Sequence, residues 1–233
     1  MAAGVRTGGR ILSYGKLSAF IHRRRKEVPV KAFLTVLCLL FAGLAGCSGQ
    51  GERINISIPG KYTGPTGAPA VSGPRVAVLP FEDQRPDQRY LGQRSPLWGA
   101  DSHFDLPAGT VSAASAQALV DYLNRQGWRA SLGRTQGGEG ADVTILGTVT
   151  DLSINAKSGF MHTDLSAKNS VAFQILNHSD ESIVRDRVSG SATDQVFWFD
   201  ADDAQVLMTD LWESNFRKFM NDVRIDGRAI RLR

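Results

Sequence analysis

Apolar and polar positions divide this chain into three regimes. The first is a nearly unbroken apolar run from Ala32 to Ala45. The second is a glycine- and proline-rich stretch from Ser48 to Pro74, which disfavours both helix and continuous strand. The third begins near Arg75, where two periodicities alternate. Arg75-Val76-Ala77-Val78-Leu79-Pro80-Phe81 reads as a buried strand ended by a turn. Thr110 suits a helix N-cap, and Val111, Ala114, Ala118, Leu119, Tyr122 and Leu123 share one helical face, with Gly127 as the stop. Trp128–Arg134 and Ala141–Asn155 read as strands, the second apolar on both faces and therefore expected in the middle of a sheet. Leu165–Asn177 and Ser182–Phe197 form a hairpin turned at Ser179-Asp180-Glu181. A last helix begins near Asp200 or Asp202, with Ala204, Leu207, Met208, Leu211, Trp212, Phe219 and Met220 as its apolar stripe.

This order predicts an α+β fold: one domain, a mixed or antiparallel sheet of about four to five strands, and two helices packed on one face. Two stretches stand outside the pattern. Ile54-Asn55-Ile56-Ser57-Ile58 alternates and is expected as a short strand added at a sheet edge. Glu82–Gly109 is broken by Pro86, Gly92, Pro96, Gly99 and Pro107 and reads as one long irregular loop. Loops of that length are uncommon in compact domains and are often functional. Trp98, His103 and Phe104 are expected within reach of solvent or a partner.

The apolar run is too short for a spanning helix, which needs ~20 residues. It follows a basic segment densest at Arg23-Arg24-Arg25-Lys26 and ends in Leu44-Ala45-Gly46-Cys47. A basic n-region, a short h-region and small residues before a cleavage point make a secretory signal. The cysteine directly after Leu-Ala-Gly resembles a bacterial lipobox, so cleavage is expected between Gly46 and Cys47, with Cys47 lipidated. Ser48, rather than aspartate, resembles the pattern that sorts such proteins to the outer membrane. The expected organisation is a signal peptide (1–46), a lipidated terminus and tether (47–74) and the folded domain (75–233). The long n-region leaves two alternatives open: a start downstream of Met1, or an extended basic tail.

Charge changes meaning once the chain is divided. The whole sequence has 27 Lys+Arg and 23 Asp+Glu, a net of +4, but residues 1–46 hold eight basic groups against Glu27 alone. The rest carries 19 basic and 22 acidic groups, a net of −3, which excludes a generally basic nucleic-acid-binding protein. The only cysteines are Cys38 and Cys47, so no intramolecular disulfide is available after cleavage and lipidation.

The strand Val76–Phe81 leading into Asp83-x-Arg85 and Leu91-Gly92, then a helix closing in Gln126-Gly127-Trp128, is similar to YajG-type lipoproteins of unknown function. Ile145-Leu146-Gly147-Thr148-Val149, the following hairpin and the final helix fit the same pattern over roughly residues 52–222. The long precursor region and Ser95–Leu106 depart from it. Related shapes occur in the N-terminal domain of TolB and in CsgG-type assembly lipoproteins. The resemblance implies contact with envelope partners rather than catalysis.

Candidate chemistry is sparse. His22, His103, His162 and His178 show no metal-ligand spacing, and neither a metal nor a cofactor is expected. Ser102-His103 lies beside Asp101 and Asp105, but neighbours in sequence do not make a triad and no nucleophile elbow is present. Gly137-Gly138-Glu139-Gly140 lacks the Walker lysine and reads as a turn; Asp200, Asp202 and Asp203 read as helix capping. Asp83, Arg85 and Trp98 remain as partner-contact candidates, with loop positioning as the first role of Asp83 and Arg85. Val196-Phe197-Trp198-Phe199 is expected to pack where hairpin meets helix. The leading expectation is a non-enzymatic outer-membrane lipoprotein that binds an envelope protein, through the loop or an open edge at Leu165–Asn177. The alternatives are an accessory subunit of an envelope transport or export machine, and a hydrolase using His103.

Overall fold

The structure is a computed structural model that describes residues 51–58, 73–106, 110–134 and 140–233. Gly46, Cys47, the signal segment and most of the expected tether and glycine-rich turn lie outside the described residues.

The elements follow in the order β1 (Arg53–Asn55), β2 (Arg75–Val78), β3 (Glu82–Asp83), β4 (Gly92–Ser95), β5 (Ser102–Asp105), α1 (Val111–Arg125), β6 (Arg129–Leu132), β7 (Val143–Gly159), β8 (His162–Asn177), β9 (Ile183–Val196), α2 (Ala201–Asp222), β10 (Val223–Asp226) and β11 (Ala229–Leu232). The α+β class and both helices are as expected. The main sheet, however, has nine strands rather than four or five, and a separate pair, β10–β11, closes the chain.

β7 is the spine. Its 17 residues extend about 55 Å, and β8 pairs antiparallel along its whole length, followed by β9. The other edge of β7 is shared by three short parallel partners in succession. β2 pairs at Val143–Ile145, β3 at Thr148–Val149 and β4 at Ala156–Lys157. β6 extends the sheet beyond β2, while β5 and then β1 extend it beyond β4. Thus the expected loop of residues 82–109 contains three strands. They hide in the sequence because segments of two to four residues show no period of their own. Leu165–Asn177 is interior, flanked by β7 and β9, so it offers no open edge. The short alternating stretch does form an edge strand, β1, and Ile54, Ile56 and Ile58 are buried in the common core.

Both helices cover one face. α1 is capped by Thr110 Oγ1, which accepts from Ala113 N, and α2 by a capping box between Asp200 and Asp203. Residues of β8 with odd numbers point to the helices, from Thr163 through Phe173 to Asn177. On β7 the buried set is Val143, Ile145 and Val149, then Leu152, Ile154 and Ala156. The change of parity falls at a bulge between Val149 and Asp151. A strand with period two would otherwise turn its outer half inside out.

A run of rings joins the layers. Phe81 meets Phe173 edge-on at 5.9 Å, and Phe173 meets Phe219 of α2 at 4.5 Å. Trp212 and Tyr122 both contact Phe216, at 5.2 and 5.4 Å, which brings the two helices together. Phe81 lies over Gly147, where a Cβ would sit 2.6 Å from its ring. α2 crosses β9 at Gly190, where a Cβ would come within 2.8 Å of Asn215 Oδ1.

β9 has a free edge 14 residues long. Asp186 on that strand points toward the helix side, paired across from Phe173. Burial, with Asp222 nearby, pushes its carboxyl pKa upward. An inward charge on an edge strand discourages pairing with another chain.

The C-terminal hairpin β10–β11 turns at Gly227, whose φ is +61°, and docks on the β8–β9 end. Asn177 donates to Ile230 O at 3.0 Å and accepts from Ile230 N at 2.8 Å, as a strand neighbour would. Asp142 accepts from Arg75 N at 2.9 Å and pairs with Arg228 at 2.6 Å, and the Arg75 contact foremost lowers its pKa. Arg231, with Ser182, holds the Asp180 carboxyl at a pKa of about 2.

Replacing Gly147 by valine forces Phe81 off the strand while Phe173 blocks its retreat. The expected cost is about 1–3 kcal/mol of overpacking, read as a lower urea midpoint with an unchanged slope.

Candidate functional site

The Asp83-x-Arg85 motif forms a clasp. Asp83 ends β3, which pairing with Val149 fixes against β7. Arg85 is buried, its Nε donating to Asp83 Oδ1 at 2.9 Å and one terminal nitrogen to Asp83 Oδ2 at 3.0 Å. The other terminal nitrogen donates to Tyr90 O at 3.2 Å and Leu152 O at 3.4 Å. Two parallel bonds to a carboxylate suit the planar guanidinium fork and no other side chain. The clasp pulls residues 84–91 into a tight loop lying against the bulge of β7. Arg85 therefore presents nothing to a partner directly; what the clasp positions is Tyr90 and Gly92.

Tyr90 stacks on His103 with centroids 4.2 Å apart and planes 10° from parallel, and Arg53 lies over the Tyr90 ring at 5.8 Å. Tyr90 and His103 line a shallow polar cleft with Asp151, Ser153 and Asn155. Ser102 and His103 are successive residues of β5, so their side chains leave opposite faces, and Ser102 is buried. His162 lies 3.5 Å from Asp164, and His178 is bonded to Thr144 at 2.8 Å. None of the three described histidines is joined to both a hydroxyl nucleophile and a carboxylate. Among the described residues no group of three His, Cys, Asp or Glu side chains is gathered for a metal ion.

The face of β7–β8–β9 away from the helices is uncovered and polar. Thr148, Ala172 and Arg187 form one cross-strand row; Leu146, Gln174 and Arg185 form the next. With Glu82 they line a groove of about 590 Å³. Lys168, Arg185 and Arg187 are exposed there, and none has an ion-pair partner among the described residues. No composition argument pointed to this patch, because the chain's net charge conceals it; only the strand register places these cations on one face.

Trp98, the third partner-contact candidate, is 76% exposed on the turn between β4 and β5, well away from the clasp. Phe104 is fully buried, contrary to expectation, and meets Phe199 at 6.1 Å. The aromatic cluster after β9 is split. Phe199 packs inward under Arg94, whose guanidinium lies 4.3 Å from the ring centroid, while Phe197 and Trp198 face solvent. The expected packing at the hairpin–helix junction thus holds for Val196 and Phe199 and not for Phe197 and Trp198.

No family model matches the chain, and no curated protein matches it. Solved structures give distant likenesses. Protein XCC0632 from Xanthomonas campestris, of family DUF330, is 9% identical, with 73% of this chain and 92% of that one covered and a TM-score of 0.42. PelC from Paraburkholderia phytofirmans, a dodecamer, is 14% identical over 65% and 92%, with a TM-score of 0.37. Lipoprotein GNA1162 from Neisseria meningitidis is 12% identical over 60% and 97%, with a TM-score of 0.32. The resemblance to YajG-type lipoproteins accordingly stands on the motifs quoted above.

Arg85→Ala leaves Asp83 without its fork and frees the loop, with an expected loss of about 2–4 kcal/mol in urea unfolding. Arg85→Lys, which keeps the charge but not the fork, is expected to recover less than half of that loss. Both variants should be cleaved faster by protease within residues 84–91.

Proposed function

We propose that this chain is a non-enzymatic, lipid-anchored envelope protein. Its signal segment is removed before Cys47, and Cys47 carries acyl chains in the outer membrane. Its domain faces the periplasm. The observation that carries the reading is the lipobox Leu44-Ala45-Gly46-Cys47 at the end of a short apolar run behind a basic segment. Two or more chains at ~0.8 kcal/mol per buried methylene hold a protein stably on a bilayer. Among the described residues no helix is long and apolar enough to cross a membrane, so the bilayer attachment in this reading is the lipid.

The work of the domain, in this reading, is binding another envelope component of acidic surface. The sheet face away from the helices supports it, with three cations that have no ion-pair partner among the described residues on a helix-backed platform. A sheet fixed from behind by two helices loses little freedom on binding.

Cys47→Ala is expected to abolish incorporation of labelled palmitate and to leave the protein uncleaved or in the soluble fraction. A membrane-bound protein of mature size would overturn the anchor. For the partner, a photo-reactive residue at Lys168 or Arg187 should give one protein adduct in cells. The adduct from position 168 should fade when Arg185→Glu and Arg187→Glu are introduced together. Adducts absent from both positions would overturn the platform reading.

A further inference from the structure

The largest exposed apolar side chains gather at one end of the sheet. Leu97 is 50% exposed, Trp98 76%, Phe160 81%, Met161 59%, Phe197 55% and Trp198 76%. They lie on three separate segments, and the strand register brings those segments together. Ser95, Lys157, Asp164 and Gln195 are successive cross-strand partners in one row. Two or three residues beyond that row come Leu97 and Trp98 after β4, Phe160 and Met161 in the β7–β8 turn, and Phe197 and Trp198 after β9.

Local chemistry makes this an unusual place for such residues. A two-residue hairpin turn favours Asn-Gly or a similar pair. Here it is Phe160-Met161, and Met161 holds a φ of +64°, a conformation costly for a residue with a long side chain. Phe197 and Trp198 contact each other edge-on at 5.1 Å, so their rings are arranged before any partner arrives. The opposite end of the sheet is ionic, with Asp142, Asp180, Arg228 and Arg231 joined in pairs.

The chain also joins the fold at the apolar end. β1 runs parallel to β5, with Arg53 opposite His103, and Glu52 O accepts from His103 N at 3.1 Å. Gly51 passes so close to the turn between β4 and β5 that a Cβ would collide with the Asp101 carbonyl. Four residue steps separate Gly51 from Cys47, a reach of at most about 14 Å.

We propose that this end of the domain docks on the bilayer, with Trp98, Phe160, Met161 and Trp198 set into its interfacial layer. The proposal rests on Cys47 being the anchor. A bilayer is the occupant because the tether cannot carry the domain far from it, and because Trp98 and Trp198 are of the type enriched at the headgroup boundary, with Phe160 and Met161 as apolar contacts beside them. The charges within three residues of the exposed apolar side chains at this end, Asp101, Asp164, Asp194 and Asp200 against Arg94 and Lys157, form no cationic rim. The surface therefore fits zwitterionic rather than anionic lipid. Docking in this way holds the sheet upright, with the cationic face at its side and the ionic end pointing away from the membrane.

The test uses the full lipidated protein in vesicles of phosphatidylethanolamine and phosphatidylcholine. With Cys47 acylated, the mature chain has no other thiol, so a nitroxide can be placed singly by Phe160→Cys, Trp98→Cys or Glu181→Cys. Collision with oxygen in lipid and with a water-soluble nickel chelate is then measured. At 160 and 98 we expect several-fold less nickel collision than at 181, with oxygen collision preserved. Labels at 160 and 98 that are as open to nickel as 181, on protein still bound to vesicles, overturn docking and leave the anchor intact. Protection from both reagents, with dipolar broadening between labels, assigns the surface to a second copy and also overturns it. Wild-type protein that does not bind vesicles overturns the anchor and the docking with it.

Discussion

The fold depends on one close approach, the Phe81 ring lying directly on the backbone of Gly147. That contact seats Phe81 between the sheet and the start of α1, where Phe81 N donates to Ser112 O at 3.1 Å. It also sets the edge-on contact with Phe173, which leads to Phe219 and hence to α2. Aromatic side chains bury 150–250 Å² each, roughly, and dominate the cores they enter. Here they fix the distance between both helices and the spine strand. The corner Pro80-Phe81 then aims β3 along β7, and everything built from β3, including the Arg85 clasp, inherits its position from that corner.

Seen along its length, the domain is asymmetric in chemistry as well as in shape. One end is closed by arginine–aspartate pairs and by the C-terminal hairpin, fastened through Asn177. The other ends in turns bearing exposed rings. The helices back one side, Lys168, Arg185 and Arg187 occupy the other, and Asp186 lies along the outer edge of β9. Each of the four surfaces that the sheet offers thus has a different character.

The parts of the fold legible in the sequence are those whose signals are local. Thr110 and Asp200 cap helices because their oxygens face free N–H groups, and that preference survives any tertiary context. β7, β8 and β9 are long enough to show their period. β3, β4 and β5 are not; β3 and β4 pair with β7, more than fifty residues away, and β5 lies between β4 and β1, pairings that leave no local trace. The final hairpin did leave a signal in Gly227-Arg228, a two-residue turn with glycine in its first position, which a reading focused on the end of α2 passes over. For the candidate site the motif Asp83-x-Arg85 was visible but its burial was not, because a hydrogen-bonded arginine and a solvated one are written alike. Trp198 and Phe199 show the same limit: adjacent rings of similar hydrophobicity go to opposite fates, decided by which one meets Phe104.

The bulge at Val149–Asp151 gives the spine two phases. Before it, the buried apolar side chains fall on odd positions, and after it on even ones, so the two halves of β7 are out of frame with each other. The register beyond the bulge is thus set apart from the register before it, although Leu152, Ile154 and Ala156 join the same core as Val143, Ile145 and Val149. A lengthening confined to the turn beyond Lys157 would extend the end that carries the exposed rings and leave both buried halves of the spine in frame.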